Sequence, residues 1–403
     1  MKSILYNISG RGFYYHSLGR KISEVIKSWK SEDYNLEMIC GGDVINPNNT
    51  KQKNSYGASE FHKQSFRKNK FLTPLIHSLS ELKDILHDKK LYQYFCDQFD
   101  NKELTLVWER SSRLHYAGYR YAKKRDVPYV LEWKDHLIDY KFSFFKLYAK
   151  WMENFKNTKA DFIVVESEVL KNELMQKGID SKKILVAYNA VNPDEFKASE
   201  KERTKYRNEL GINNTDILVG YLGSYAFYHD TKRLIYAAKI IQEKGLTNIK
   251  FLLVGNGKEY QECYDLAHKL GLVDNTLMFK DGVAKEEVPN ILSSLDISVL
   301  PGSTDIICPI KVFEYMAAST VALIPDYKCN RDVITDFKDG VLFTHYDEND
   351  LAKKIINLSE NTELLEKIGK EAINTVFKKY TWNATWGKAM KTILNEIGGL
   401  NDK

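Results

Sequence analysis

The stretch PGSTDIICPIKVFEYMAAST, from Pro301 to Thr320, sets one lysine and one glutamate, Lys311 and Glu314, into an otherwise apolar run. A helix that starts at Pro309 can carry those charges in two ways. They can form an i,i+3 ion pair on the helix rim, worth roughly 0.2–0.5 kcal/mol. Alternatively, the helix N-terminus can face an anion. Proline suits the first helical position because its missing N–H is not needed there. The free N–H groups that follow, with a dipole equivalent to about half a positive charge, attract phosphate. Only the rest of the chain separates the two.

Outward from that stretch, short β-like runs alternate with longer amphipathic ones, the pattern of an α/β chain with parallel sheets. SILYNIS, LEMICGG, LTLVWER, PYVLEW and DFIVVES read as strands of the first half. ILVGYLGS, IKFLLVG, LMFKDG, ISVLPG and TVALIP read as strands of the second. At 403 residues the chain is too long for one core, and two domains of about 200 residues are expected. The break falls where ILVAYNAVNPDEF gives way to the charged KASEKERTKYRNEL, so we place the boundary at residue 195. Two doubly wound, Rossmann-like domains in series result. The segment from 46 to 70 is polar, basic and poor in aliphatics. It reads either as a flap over a phosphate or an acceptor, or as a plain surface loop.

The bulk composition narrows the classes. A net charge of +5 suits an acidic ligand or an anionic membrane surface, but falls short of a nucleic-acid-binding protein. The five cysteines are scattered and form no CxxC pair, which points to a reducing compartment and away from a zinc site. The N-terminal apolar run is too short for a signal peptide, and no run approaches the ~18 apolar residues of a membrane span. A cytoplasmic protein is expected, with peripheral contact at the inner face of the membrane left open.

In open parallel sheets, ligands bind beyond the carboxyl ends of strands. The second half offers a glycine turn after each of four strands: Gly223-Ser224, Gly255-Asn256-Gly257, Asp281-Gly282-Val283 and Pro301-Gly302. In that setting the anion reading of Lys311 is preferred. A diphosphate there meets the amides at the start of the helix and the ammonium together. Glu314, one turn on, can accept hydrogen bonds from the vicinal hydroxyls of a ribose. A phosphate site with a hydroxyl acceptor one turn away describes a nucleotide sugar.

PIKVFEYMAAS resembles the signature of retaining GT-B glycosyltransferases of family 4, in a P-x-K-x-x-E-Y-M-A variant. ADFIVVESEVL…NAVNPDEF is similar to the end of that family's first domain, and FKDGVAKEEVPNILSSLDISVLP to its Gly-Val and Asp-x-x-x-x-P pattern, here with Asp296 and Pro301. KYTWNATWGKAMKTILNEI resembles its terminal helix, so the resemblance implies domains at 1–195 and 196–380 and a helix at 381–403 returning to the first domain. By the resemblance, Glu314 holds the donor ribose. Lys311 and the segment Pro309-Ile310 face the diphosphate, Val283 lies near the base, and Gly223 and Ser224 let the phosphates approach. The family's first glutamate, eight positions before the second, is replaced here by Ile306, with Asp305 beside it as the nearest substitute. The family's Arg…Lys-Gly loop is absent; His229 and Asp230 stand there, with Lys232 and Arg233 just beyond. Lys311 is therefore expected to carry more of the leaving-group charge than its counterpart does.

The departing nucleoside diphosphate builds negative charge that fixed donors stabilise. The sequence has no D-x-D and no metal-ligand cluster, so metal-independent chemistry is expected; the resemblance implies retention, without a cofactor beyond the donor, taken as a UDP-sugar. On the first half, Gly10-Arg11-Gly12 resembles the family's glycine loop or is an ordinary strand-to-helix turn. Glu109-Arg110 and Glu132 end strands, Arg110 on the acceptor side. The resemblance implies that His136, just past the fourth strand, lies near the donor sugar; an ordinary core or surface histidine is the equal alternative. In KFSFFKLYAKWMENFKNTK, from Lys141 to Lys159, Phe144, Phe145, Tyr148, Trp151, Met152 and Phe155 form an apolar stripe beside lysines. A core helix with a solvated face is preferred over a membrane-surface helix. The acceptor is expected to be a glycan or a lipid-linked molecule of polysaccharide or glycoconjugate synthesis. A non-catalytic nucleotide-sugar-binding subunit of a transferase complex is the alternative.

Overall fold

The structure is a computed structural model that describes residues 2–8, 17–31, 33–40, 43–45, 72–112, 114–134, 145–196, 200–273 and 275–401. Gly10, Arg11, Gly12, His136 and the segment 46–70 lie outside the described residues. The chain divides into two compact units, Met1–Ala187 with Trp386–Lys403, and Tyr188–Thr385.

The first unit is built on a seven-stranded sheet of order β3-β2-β1-β4-β5-β6-β7. Its strands are β1 (Lys2–Ile8), β2 (Tyr34–Cys40), β3 (Asp43–Ile45), β4 (Leu104–Arg110), β5 (Tyr129–Glu132), β6 (Phe162–Val165) and β7 (Ile184–Val186). All pairings are parallel except β2 with β3. The helices are α1 (Ser17–Ser28), α2 (Leu72–Phe99), α3 (Ala117–Arg125), α4 (Lys146–Lys159) and α5 (Glu168–Gln176). Central strands such as β5 and β6 are buried at every position, because helices cover both faces of a parallel sheet. The acidic side chains at two strand ends are therefore paired internally. Glu132 accepts from the Tyr6 hydroxyl at 3.0 Å and lies 2.9 Å from Arg110 Nη1. Glu109 accepts from the Gly118 N–H at 2.8 Å and the Tyr129 hydroxyl at 3.0 Å.

The aromatic stripe expected on α4 is split. Ala149, Met152, Lys156 and Asn157 face the core, and the Lys156 ammonium donates to the carbonyls of Ser112 (2.9 Å) and His115 (2.8 Å). Trp151 points to solvent instead, 56% exposed, in a stack with Tyr148 and Phe155. A buried lysine satisfied by carbonyls takes the place that a stripe of rings was expected to fill, so α4 is a core helix on one face only.

The second unit carries a six-stranded, all-parallel sheet of order β10-β9-β8-β11-β12-β13. The strands are β8 (Ile217–Leu222), β9 (Ile249–Val254), β10 (Leu277–Lys280), β11 (Ile297–Val299), β12 (Val321–Pro325) and β13 (Val341–Phe343). Its helices are α6 (Glu200–Glu209), α7 (Thr231–Glu243), α8 (Tyr260–Lys269), α9 (Val288–Ser294), α10 (Ile310–Ala317), α11 (Lys328–Arg331), α12 (Glu348–Ser359) and α13 (Thr362–Lys379). A final helix, α14 (Lys388–Asn401), belongs to the first unit, where Trp386 accepts at its carbonyl from the Trp29 indole at 3.0 Å.

The division falls after Ala187, earlier than the expected residue 195. Tyr188–Phe196 is held by the second unit: the Val191 N–H donates to the Tyr380 carbonyl at 3.0 Å, and the Asn189 amide to the Cys308 carbonyl at 3.0 Å. Within the charged stretch that suggested the boundary, Glu200–Glu209 is helix α6. It is anchored by buried Arg207, whose guanidinium meets Asp296 at 3.0 Å and the Ser294 carbonyl at 3.1 Å.

Candidate functional site

The order of the second sheet places its switch point between β8 and β11. From β8 the chain moves outward through α7 to β9 and β10, and from β11 it moves the other way through α10 to β12 and β13. Successive right-handed crossovers in opposite directions leave a crevice beyond the carboxyl ends of these two strands. The turn 223–230 after β8 and the loop 300–309 before α10 border it.

Helix α10 begins one residue later than expected. Pro309 is extended, with φ −68° and ψ 149°, and caps the helix rather than forming its first turn. Val312, Phe313, Tyr315, Met316 and Ala317 are buried in the core. Lys311 and Glu314, three residues apart, share the remaining half-buried face. The Lys311 ammonium reaches across to the end of β8. A methyl group placed on Gly223 would lie 2.2 Å from Nζ, so the missing side chain is the space the ammonium occupies. Nζ also sits 4.9 Å from the centre of the Tyr221 ring and 3.4 Å from Nε2 of His229. Burial pushes Lys311 down to about 8, against the opposing pull of Glu314.

The turn around Lys311 is rigid. Tyr221 donates its hydroxyl to the Ser224 carbonyl at 2.7 Å, and the Gly223 N–H donates to Val254 at 3.0 Å. Gly255 follows β9 at φ +143°, and a side chain there would strike the Gly223 carbonyl at 1.8 Å. Only glycine tolerates that conformation and approach. Gly257 lies against the backbone of Tyr225, and Gly282 against the Asn256 side chain. The turns after β8, β9 and β10 therefore lie side by side along one sheet edge. Val283 is half-buried on the core beside them, Ser224 and Asp305 are exposed, and Ile310 is half-buried.

Other expected residues lie elsewhere. Lys232 leaves the turn on α7 and pairs with Glu262 of α8 at 2.6 Å on the surface. Arg233 pairs with Asp230 at 2.6 Å. Arg110 is in the first unit, buried against Glu132. Sequence reasoning missed Tyr221 and the Gly302 carbonyl. The first lies two residues before Gly223 in the strand, a signal that was present. The second is a backbone acceptor to His229 at 3.4 Å and leaves no trace in residue type. Among the described residues, no group of three His, Cys, Asp or Glu side chains is placed to hold a metal ion.

This arrangement can present a cation, a helix N-terminus and several strand-end amides to one anion. Residues 202–375 match the family model described as Glycosyl transferases group 1, and residues 58–195 match Glycosyltransferase Family 4. In series the two matches span most of the chain, and its fold is the GT-B fold of glycosyltransferases. An uncharacterized glycosyltransferase of Methanocaldococcus jannaschii, MJ1178, is 23% identical over 80% of this chain and 86% of its own length. CapM of Staphylococcus aureus, a capsular polysaccharide biosynthesis glycosyltransferase, is 22% identical over 61% of this chain and 64% of its own. EpsD of Bacillus subtilis, which carries a glycosyltransferase name, is 26% identical, and the match spans 48% of that protein. The crystal structure of Anabaena Alr3699/HepE in complex with UDP matches with a TM-score of 0.73 over 98% of this chain and all of that one. At 16% identity that match establishes the glycosyltransferase's fold.

Proposed function

We propose that this glycosyltransferase moves a sugar, with retention and without a metal ion, from a nucleoside diphosphate donor to a glycan or lipid-linked acceptor. The observation that carries the reading is the Lys311 ammonium lodged at Gly223 on the switch point, with Glu314 on the same face of α10. As the glycosidic bond to the diphosphate breaks, negative charge grows on the phosphate oxygens. Lys311, together with the free N–H groups at the start of α10 and in the glycine turns, offers fixed positive charge to that position. Glu314 is the acceptor for the donor's ribose hydroxyls. The departing phosphate can take the acceptor's proton, so no separate strong base is required. The UDP bound by HepE favours a uridine donor, and CapM favours a role in polysaccharide synthesis. Peripheral contact with a membrane belongs to the same reading.

The test is a thermal-shift and donor-hydrolysis panel of UDP-, GDP-, ADP- and dTDP-sugars, with and without EDTA, on the wild type and Lys311→Ala. One nucleotide should stabilise the protein, with slow EDTA-insensitive hydrolysis lost in the variant. No shift with any nucleotide would overturn the reading.

A further inference from the structure

Two helices of the first unit keep an apolar face that no described residue of that unit covers. On α2, Asp88, Leu91, Phe95 and Phe99 face the core, while Leu79, Leu82 and Leu86 face away, 46–56% exposed. Positions 79, 82 and 86 follow the three-and-four spacing of one helix face. On α4, opposite the buried Ala149 and Met152, Leu147 is 80% exposed and Trp151 56%. The crossovers from β4 to β5 and from β5 to β6 join parallel strands in one direction, which lays α3 and α4 on the same face of the sheet, and α2 packs beside α3. Contacts tie the layer together: Tyr119 of α3 packs edge-on to Phe155 of α4, and the Tyr116 and Ala117 N–H groups at the start of α3 donate to Asp88 of α2. The leucines of α2 and the Leu147–Trp151 pair of α4 thus look outward from one layer.

Among the described residues of these two helices, exposed lysines outnumber exposed carboxylates, with Asp97 the exposed acid on the leucine face of α2. Lys83, Lys89 and Lys90 of α2 are exposed, as are Lys146 and Lys150 of α4. Exposed leucines and a tryptophan among lysines match the apolar core and polybasic flank of a surface that enters the headgroup region of an anionic bilayer. A protein partner would more often meet an aromatic core with lysine depleted. Among the described residues no helix is long and apolar enough to cross a membrane.

We infer that the outward face of α2 and α4 docks this enzyme onto an anionic lipid surface, with Trp151 and Leu147 inserted and the lysines on the headgroups. The inference rests on the peripheral-membrane part of the reading above and gives it a surface. It also places a lipid-linked acceptor and the enzyme at one interface.

The tryptophans make it testable directly. Trp29, Trp108, Trp133, Trp382 and Trp386 are at most 7% exposed, so Trp151 is the one that meets solvent. Full-length protein is mixed with phosphatidylcholine vesicles with and without phosphatidylglycerol, and tryptophan emission and co-sedimentation are followed. We expect a blue shift and pelleting with the anionic vesicles, reversed by high salt, and no blue shift in Trp151→Phe. Leu147→Ser/Trp151→Ser should weaken sedimentation by roughly tenfold or more with an unchanged circular dichroism spectrum. Equal binding to vesicles without phosphatidylglycerol, no binding to either, or undiminished sedimentation of the double variant would overturn the proposal. So would a concentration-dependent blue shift without vesicles, which would mean that a second copy covers the face. Donor binding measured on the same samples separates the outcomes: a protein that binds donor but ignores vesicles fails only this inference.

Discussion

The Lys311 ammonium lies 3.4 Å from Nε2 of His229, and the same imidazole meets the Gly302 carbonyl through Nδ1 at 3.4 Å. A carbonyl only accepts, so Nδ1 carries the proton and Nε2 turns its lone pair to the ammonium. Burial and the adjacent Lys311 push His229 down to about 4, which keeps the ring neutral in that role. His229 thereby orients Lys311 without adding charge, at the place where the family's cationic loop is missing.

Donor affinity should depend on pH through Lys311. A bound diphosphate favours the ammonium, so a group at about 8 in the free protein takes up a proton on binding. The dissociation constant of a nucleoside diphosphate sugar should be flat below pH 7. It should rise about tenfold per pH unit beyond the Lys311 value. Calorimetry in buffers of different ionisation enthalpy measures the proton uptake; an affinity flat to pH 9.5 would exclude Lys311 as the phosphate's cation.

Removing that charge should stabilise the empty protein. The folded-state value of Lys311 lies below its ordinary value, so the cost is full below about pH 8 and fades as pH rises toward the unfolded value. Lys311→Met should gain about 1–3 kcal/mol at pH 7, a gain that shrinks toward pH 10. Donor affinity should fall by one to two orders of magnitude, roughly. Thermal melts across pH, paired with titrations of donor, read both; a variant less stable at pH 7 would contradict the burial cost.

Two neighbouring glycines should fail in different ways. In Gly223→Ala the new methyl meets the end of a flexible lysine, so the fold should hold while donor affinity drops. In Gly255→Ala the methyl meets the Gly223 backbone carbonyl at 1.8 Å from a residue at φ +143°, so stability should fall by about 2–4 kcal/mol. Chemical denaturation and donor binding on both variants distinguish a filled site from a broken turn.

Far from the site, at the amino ends of the second sheet's strands, Arg207 and Asp296 fasten α6 to the strands. Asp296 also accepts from the Leu218 N–H at 2.7 Å. Arg207→Met leaves a mostly buried carboxylate with less compensation and should cost about 3–5 kcal/mol. Donor affinity of the folded fraction should be unchanged. Denaturation midpoints check the first, and a loss of affinity in fully folded protein would refute the second.

Sequence alone determined the alternation of strands and helices, the two-sheet architecture and the residues of the switch-point loops. Those properties follow from local hydrophobic period and turn chemistry, which each short window carries by itself. LTLVWER is β4 in full, and PIKVFEYMA announced α10 and its half-buried charges. Three-residue strands such as β3 and β13 are shorter than a period can show. Tertiary structure decided where the charges go. Lys232 and Lys311 look equally suited to a phosphate in the sequence, yet Glu262 holds one at the surface while the bare Cα of Gly223 makes room for the other. The same holds for Trp151 and Lys156: helical period gives their spacing, but only packing against Ser112 and His115 buries the lysine and leaves the tryptophan in solvent. Which side chain is paired, buried or exposed depends on partners distant in the chain, and no local pattern encodes them.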